Sequence, residues 1–306
     1  MDLSAFLDQL LNPQQYLNAL QLGSLYALIA LGYSMVYGVL LLINFAHGDI
    51  FMVGAFLGVF GAFVLGLPFA LTLPLAMALN ALLGVTIERV AYKPLRAASR
   101  LSAVITALGV GLLLEHAMLA LTGADPRSYP PDFFVTEIRT IAGVNVSNVR
   151  ILIILLAFAL FVGLFLIVQR TKWGMAMRAI SYDKFAVPLM GVSQDQIISL
   201  TFALGAALGA AAGILWGIAF PVLNPYMGMR VGWKAFIAAV VGGIGDIRGA
   251  AVGGMILGFV EIFTVALGPP LGIPSTWRDP VAFGLLLVIL VVRPTGIFGV
   301  ARRQKV

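Results

Sequence analysis

"LLINFAHGDIFMVGAF", residues 41–56, decides how this chain folds. It closes a run of forty residues, positions 9 to 48, with no Asp, Glu, Lys or Arg, and apolar sequence resumes directly after Asp49. A run that long without charge predicts a membrane span, because a bilayer core about 30 Å thick takes about 20 apolar residues of helix. Asn44, His47, Gly48 and Asp49 therefore mark a place where the chain leaves helical geometry between two apolar segments.

Composition extends that reading to the whole chain. Of 306 residues, 61% are hydrophobic and 10% charged, against roughly 25% charged in soluble domains. The mean hydropathy is +1.03. These values predict an all-α polytopic membrane protein. The absence of cysteine excludes disulfides, thiolate metal sites and cysteine nucleophiles. With His47 and His116 the only histidines and no clustered acids, no metal or cofactor is expected. The net charge of +6 does not point to nucleic acid, because the basic residues form short patches between apolar stretches. Asp2 and Asp8 stand where a signal peptide would carry basic residues, and no small-residue cleavage site follows, so the first apolar segment is expected to be a retained span.

The patches orient the chain. Arg89, Lys93, Arg96 and Arg100 form the first, Arg170, Lys172, Arg178 and Lys184 the second, and Arg293, Arg302, Arg303 and Lys305 the third. The positive-inside rule puts all three in the cytoplasm, with the C-terminus cytoplasmic and the acidic N-terminus outside. Spans are expected near 16–43, 49–66, 69–88, 102–122, 150–169, 199–220, 231–244, 249–267 and 280–293. That makes nine, with eight as the alternative and one or two segments broken or re-entrant. The loop "TGADPRSYPPDFFVTEIRTIAGVNVSN", with balanced charge and three prolines, falls outside.

Glycines prepare the packing. Gly205, Gly209, Gly213 and Gly217 recur every fourth residue, a spacing that lets helix backbones approach closely in lipid. The same small side chains would also suit a pore lining. A second polar break, "VVGGIGDIRGAAVGGMILGFVE" at 240–261, resembles the first in form, and each is followed by regularly spaced glycines. Paired, glycine-interrupted segments in two halves point to an internal repeat and a transport path. The path candidates are Asn44, Phe45, His47, Gly48 and Asp49 in one half, with Gly242, Gly243, Gly245 and Asp246 in the other. The competing reading makes both breaks short cytoplasmic turns, with Asn44 or Asp49 capping a helix. Glu115, His116 and Glu261 also fall within apolar stretches. They are either gates or proton sites, or structural groups that are paired or reach for the membrane surface.

"QRTKWGMAMRAISYDKFAVPLMGVSQDQI", residues 169–197, is longer than a connection between spans requires and is helical in composition, although Pro188 interrupts it. From composition alone it is either a helix lying on lipid headgroups or one that docks into a cytosolic partner's groove. Its core, "MRAISYDKFAVPLMGVSQDQI", resembles the cytoplasmic coupling loop of ABC importer permeases at Arg178, Ala179, Asp183, Ala186, Leu189, Gly191 and Val192. "GSLYALIALGYSMVYGVLLLINFAHGDIFMVGAF" and "GGIGDIRGAAVGGMILGFVE" resemble the two signature regions of the LivH-type permease of branched-chain amino acid uptake systems. Pro188 departs from that pattern, where an apolar residue is usual.

The resemblance implies one permease domain over 1–306, with a coupling loop at 170–197, in a bacterial plasma (inner) membrane. It implies a LivM-like second permease, two cytosolic ABC ATPase subunits and an external substrate-binding protein as partners. The chain is not expected to be an enzyme, since no Gly-rich phosphate loop ending in Gly-Lys-Ser/Thr occurs in it. Among transport alternatives, an ion-coupled secondary transporter would need grouped intramembrane acids or histidines. A permease for amides or urea is not distinguished by these motifs.

Overall fold

In the computed structural model, which describes residues 3–96, 98–141 and 143–299, side-chain caps set several of the helix starts. An amphipathic α1 (Leu3–Leu11) leads into α2 (Pro13–Leu40), whose Asn12 side chain accepts from Gln14 N at 2.9 Å while Pro13 occupies the first turn. The long α2 ends at Leu41, which has φ 56°, the one positive φ among described non-glycine residues. Six residues later begins α3 (His47–Phe63), followed by α4 (Phe69–Ile87), which continues through tighter and wider turns to Leu95. Ser99 caps α5 (Arg100–Thr122). A loop with the antiparallel hairpin β1 (Ile138–Ile141) and β2 (Val144–Ser147) connects it to α6 (Asn148–Arg170). Then follow α7 (Lys172–Tyr182), the single turn α8 (Ala186–Leu189), α9 (Gln194–Ala219), α10 (Met227–Gly242), α11 (Ile247–Leu267) and α12 (Arg278–Val292).

Seven of the described helices are long and apolar enough to cross a membrane, and α3 and α10 are shorter, at 17 and 16 residues. Each of the nine expected spans thus coincides with a helix, and α3 and α10 are too short to be counted among the seven. At about 1.5 Å per residue α10 extends only about 24 Å, less than a full hydrocarbon core. The interior belongs to α2 and α9, whose apolar windows are 89% and 78% buried, whereas α12 buries 6% of its window and turns its leucines and valines outward.

The two halves, α2–α5 and α9–α12, pack in exchange. α2 lies on α11 and α9 on α4; α3 lies on α9 and α10 on α2; α3 and α10 touch each other. The central pair runs antiparallel, with Tyr26 beside Trp216 and Gly32 beside Gly205. An inverted repeat of this kind is a common transporter plan. The glycines of α9 serve contact: Gly209 faces His47 and Phe51, Gly213 meets the Phe51 carbonyl, and Gly217 lies against Tyr129 and Leu223. The stripe is a packing surface, as small residues at this spacing permit.

Each half also buries a glutamate. Glu88, at the end of α4, accepts from Ser199 Oγ of α9 at 2.6 Å and pairs with Arg96. Glu261 of α11 accepts from Tyr26 Oη of α2 at 3.0 Å, and pairs with Lys234 at 2.9 Å and with Arg278. Both glutamates are therefore compensated, which a charge at 0% exposure requires. Lys93 and Arg96 both bond Asp195, tying the end of α4 to the start of α9.

Candidate functional site

The junctions that precede the two short helices share one geometry. At the first, His47 N donates to the Asn44 carbonyl at 3.1 Å; at the second, Met227 N donates to the Asn224 carbonyl at 3.1 Å. Asn44 and Asn224 lie 180 positions apart, as do Gly48 and Gly228. The structural partner of the first break is thus Phe220–Tyr226, not the 240–250 stretch that the glycine pattern pairs with it. The two asparagines each supply the same backbone turn, while their neighbours differ, His47 against Met227.

These junctions fold back into the bundle. His47 lies over Gly32, eight residues before the end of α2, so α3 begins among buried residues. A Cβ on Gly48 would collide with the Gly228 carbonyl, and one on Gly232 would sit 2.7 Å from the Gly48 Cα. The starts of α3 and α10 therefore cross backbone to backbone, which only glycines permit. The first turns of the two helices meet there.

Beside this crossing lies a cavity of about 200 Å³, lined by Tyr33 of α2, Phe45 and Asp49, Glu115 with Leu108, Gly111 and Leu112 of α5, and Gly228, Met229, Gly232 and Trp233 of α10. Asp49 reaches between α5 and α10: a Cβ on Gly111 would come within 2.5 Å of its Oδ2 and one on Gly228 within 2.5 Å of its Oδ1. Both carboxylate residues are 7% exposed. Phe45 packs on Trp233 with ring centroids 5.5 Å apart and on Phe236 at 5.6 Å, and Tyr33 meets Phe236 at 6.0 Å. On its open side the lining residues Leu108, Leu112, Met229 and Trp233 are exposed.

Of the first set of path candidates, Phe45 and Asp49 line this cavity. Asn44 instead accepts from Tyr92 Oη at 2.8 Å, and His47 stands edge-on to Tyr33 at 4.9 Å with the Ile29 carbonyl as its polar neighbour. Gly48 is the crossing point itself. The second set lies elsewhere. Gly242 and Gly243 pack on the segment that follows α12, where Ile297 N and Phe298 N donate to the carbonyls of Val241 and Gly242. Asp246 caps α11 by accepting from Gly249 N at 2.9 Å, the turn-and-cap role, and it lines a separate pocket with Gly245, Gly38, Arg178 and Arg248. Sequence reading missed Tyr33, Gly228 and Trp233 as partners of Asp49; the signal that could have found them was the Asn-x-x-x-Gly spacing repeated at 44–48 and 224–228. His116, the neighbour of Glu115, is exposed on the outer side of α5.

The segment between the halves stands apart from the bundle. Arg178 bonds the Val168 carbonyl and so fixes α7 to the end of α6. Asp183 Oδ1 accepts from Phe185 N at 2.9 Å and from Ala186 N at 3.1 Å, capping α8. Pro188 falls in the first turn of α8, where a missing N–H costs nothing, and the interruption expected at Pro188 lies instead at 183–185, between α7 and α8. Gly191 has φ +77° and faces open space where a Cβ would stand, and Ala179 and Ala186 are exposed. Tyr182, Phe185, Leu189 and Met190 are each more than three-quarters exposed. Arg302, Arg303 and Lys305 of the third basic patch lie outside the described residues, as do Met1 and Asp2.

Comparison with known proteins gives a consistent picture. Residues 15–290 match the family described as "Branched-chain amino acid transport system / permease component". The high-affinity branched-chain amino acid transport permease protein BraD of Pseudomonas aeruginosa is 40% identical, over 96% of this chain and 97% of its own. The corresponding LivH proteins of Escherichia coli and Salmonella typhimurium are 37% and 36% identical over the same shares. Among solved structures, PsaBC from Streptococcus pneumoniae, determined in complex with a Fab, aligns with a TM-score of 0.51 over 96% of this chain and 97% of that one, at 13% identity, a likeness of fold alone.

Proposed function

The chain belongs to the branched-chain amino acid transport permease family, and from that premise we propose that it is the membrane-spanning subunit of an ATP-driven importer that carries branched-chain amino acids inward. The observation that carries the proposal is the pairing of an inverted bundle, with its two crossing helices α3 and α10, with a capped and exposed α7–α8 segment outside it. Energy enters in this reading from partners: two cytosolic ATPases drive the assembly, and 170–197 is the loop through which this chain couples to them, with Arg178, Ala179, Asp183, Ala186 and Gly191 forming the coupling surface. A LivM-like permease completes the membrane portion, and an external binding protein delivers substrate. Exposed aromatic and aliphatic side chains on a short helix suit a groove in a partner protein.

The same reading sets orientation. The end of α4 joins the start of α9 through Lys93, Arg96 and Asp195, and a pocket lined by Arg96, Lys184 and Gln194 puts α7–α8 on that side too. Two basic patches thus share one face, the cytoplasmic one by the positive-inside rule. The chain spans a bacterial plasma membrane with N-terminus outside and C-terminus inside. The path runs beside the α3–α10 crossing, where Phe45 and Asp49 touch the substrate and Asn44, His47 and Gly48 hold the backbone that presents them. Alternating access then moves the two halves about this crossing.

The deciding experiment is reconstitution in proteoliposomes with the candidate ATPases, second permease and binding protein. Leucine uptake is expected only with ATP and all subunits. Uptake by the chain alone under an ion gradient overturns the assignment.

A further inference from the structure

We propose that the cavity between α3, α5 and α10 is a subsite for the ammonium group of the transported amino acid, with Asp49 and Glu115 as its counter-charges and Phe45, Tyr33 and Trp233 as its walls; this deepens, and rests on, the amino acid import reading.

The argument begins with charge compensation. Elsewhere in this molecule buried carboxylates are paired: Glu88 with Arg96, and Glu261 with Lys234 and Arg278. Asp49 and Glu115 are also buried, yet among the described residues neither has an ion-pair partner. Asp49 Oδ1 has no hydrogen-bond partner, and its carboxylate has otherwise only its own backbone N–H to bond. Two carboxylates held close in a poorly hydrated space carry a large cost unless a cation joins them. The cavity supplies room for one, about 200 Å³, and an entrance past the exposed Trp233.

The walls select the kind of cation. Phe45 and Trp233 pack at a tilt of 45° with centroids 5.5 Å apart, and Tyr33 belongs to the same aromatic cluster through Phe236. An organic ammonium gains from aromatic faces as well as from carboxylates, whereas a bare metal ion would want more oxygen ligands than two side chains give. The first turn of α10 borders the same space at Gly228.

The test uses the full chain in lipid nanodiscs with 5-fluorotryptophan incorporated, and the Trp233 fluorine signal assigned by Trp233→Phe. Leucinamide, which has the ammonium but no carboxylate, is titrated against 4-methylpentanoate, which has leucine's skeleton and carboxylate but no ammonium. A saturable shift of Trp233 with leucinamide is expected, at least tenfold tighter than any response to 4-methylpentanoate, and lost in Glu115→Gln with the Trp216 signal unchanged. Absence of a saturable shift, or an equal shift in Glu115→Gln and in Asp49→Asn, overturns the subsite. Those results leave the import reading intact if ATP-dependent leucine uptake stands. Leucinamide binding without any leucine uptake overturns the import reading and leaves the ammonium subsite standing.

Discussion

At the scale of single residues, the crossing of α3 and α10 is the most demanding place in the molecule. Gly48 has no room for a methyl group, because the Gly228 carbonyl occupies the space. Gly48→Ala is expected to cost about 1–3 kcal/mol through overpacking and to lower the thermal midpoint read by size-exclusion after heating. Gly109, which has nothing near a Cβ, is the control, and Gly109→Ala should leave that midpoint unchanged. Glu261 offers a second measurement of the same kind. It is wholly buried, and it holds Tyr26, Lys234 and Arg278 together across α2, α10, α11 and α12. Glu261→Gln leaves Lys234 with only the exposed Asp279, at 2.6 Å, and should cost about 3 kcal/mol, the low end for breaking a buried pair, since that pair remains and Arg278 is partly exposed. The sequence marked Glu261 as a misplaced charge, with pairing as one of two readings. Its partners were illegible because Lys234 and Tyr26 lie far from it along the chain and only the fold brings them near.

At the scale of elements, α8 behaves as a capped turn mounted on α7. The cap is Asp183, whose Oδ1 accepts two backbone N–H groups. Asp183→Ala removes a cap of a kind that contributes about 0.5–2 kcal/mol, and on a four-residue helix that is enough to unfold it. In the reconstituted assembly the expected readout is ATP hydrolysis that no longer responds to the binding protein, while membrane insertion is unaffected. Gly191→Val should do the same by another route, since its φ of +77° is unfavourable for a β-branched residue. Normal coupling in both variants would remove α8 from the energy path. This element was legible as a polar stretch too long for a connection, and Arg178, Asp183 and Gly191 were picked out from it. The division into two helices was not legible, because Pro188 drew attention to itself while the break comes earlier, at the Asp183 cap.

For the whole molecule, the hydrophobic pattern located the seven described helices that are long and apolar enough to cross a membrane, together with the shorter α3 and α10, since each has its own apolar run bounded by charge, glycine or proline. The repeat was legible only in part. A search for similar residues pairs Gly48-Asp49 with Gly245-Asp246, but the fold repeats a backbone device, an asparagine carbonyl three residues before a helix start, and side chains such as His47 and Met227 do not resemble one another. Inverted halves also make a strong prediction about sidedness. If α2 and α9 run in opposite directions, the 123–147 loop and the α7–α8 segment must lie on opposite faces of the membrane. The chain has no cysteine, so each engineered thiol reports alone. Ser128→Cys and Lys184→Cys both replace exposed residues. In intact cells an impermeant maleimide is expected to label position 128 and to spare position 184, and permeabilisation should then open position 184 to the reagent. Labelling of both from outside would mean that the single crossing between them, α6, does not span the membrane. Labelling of 184 alone would reverse the chain in the membrane, and with it the side on which the ATPases bind.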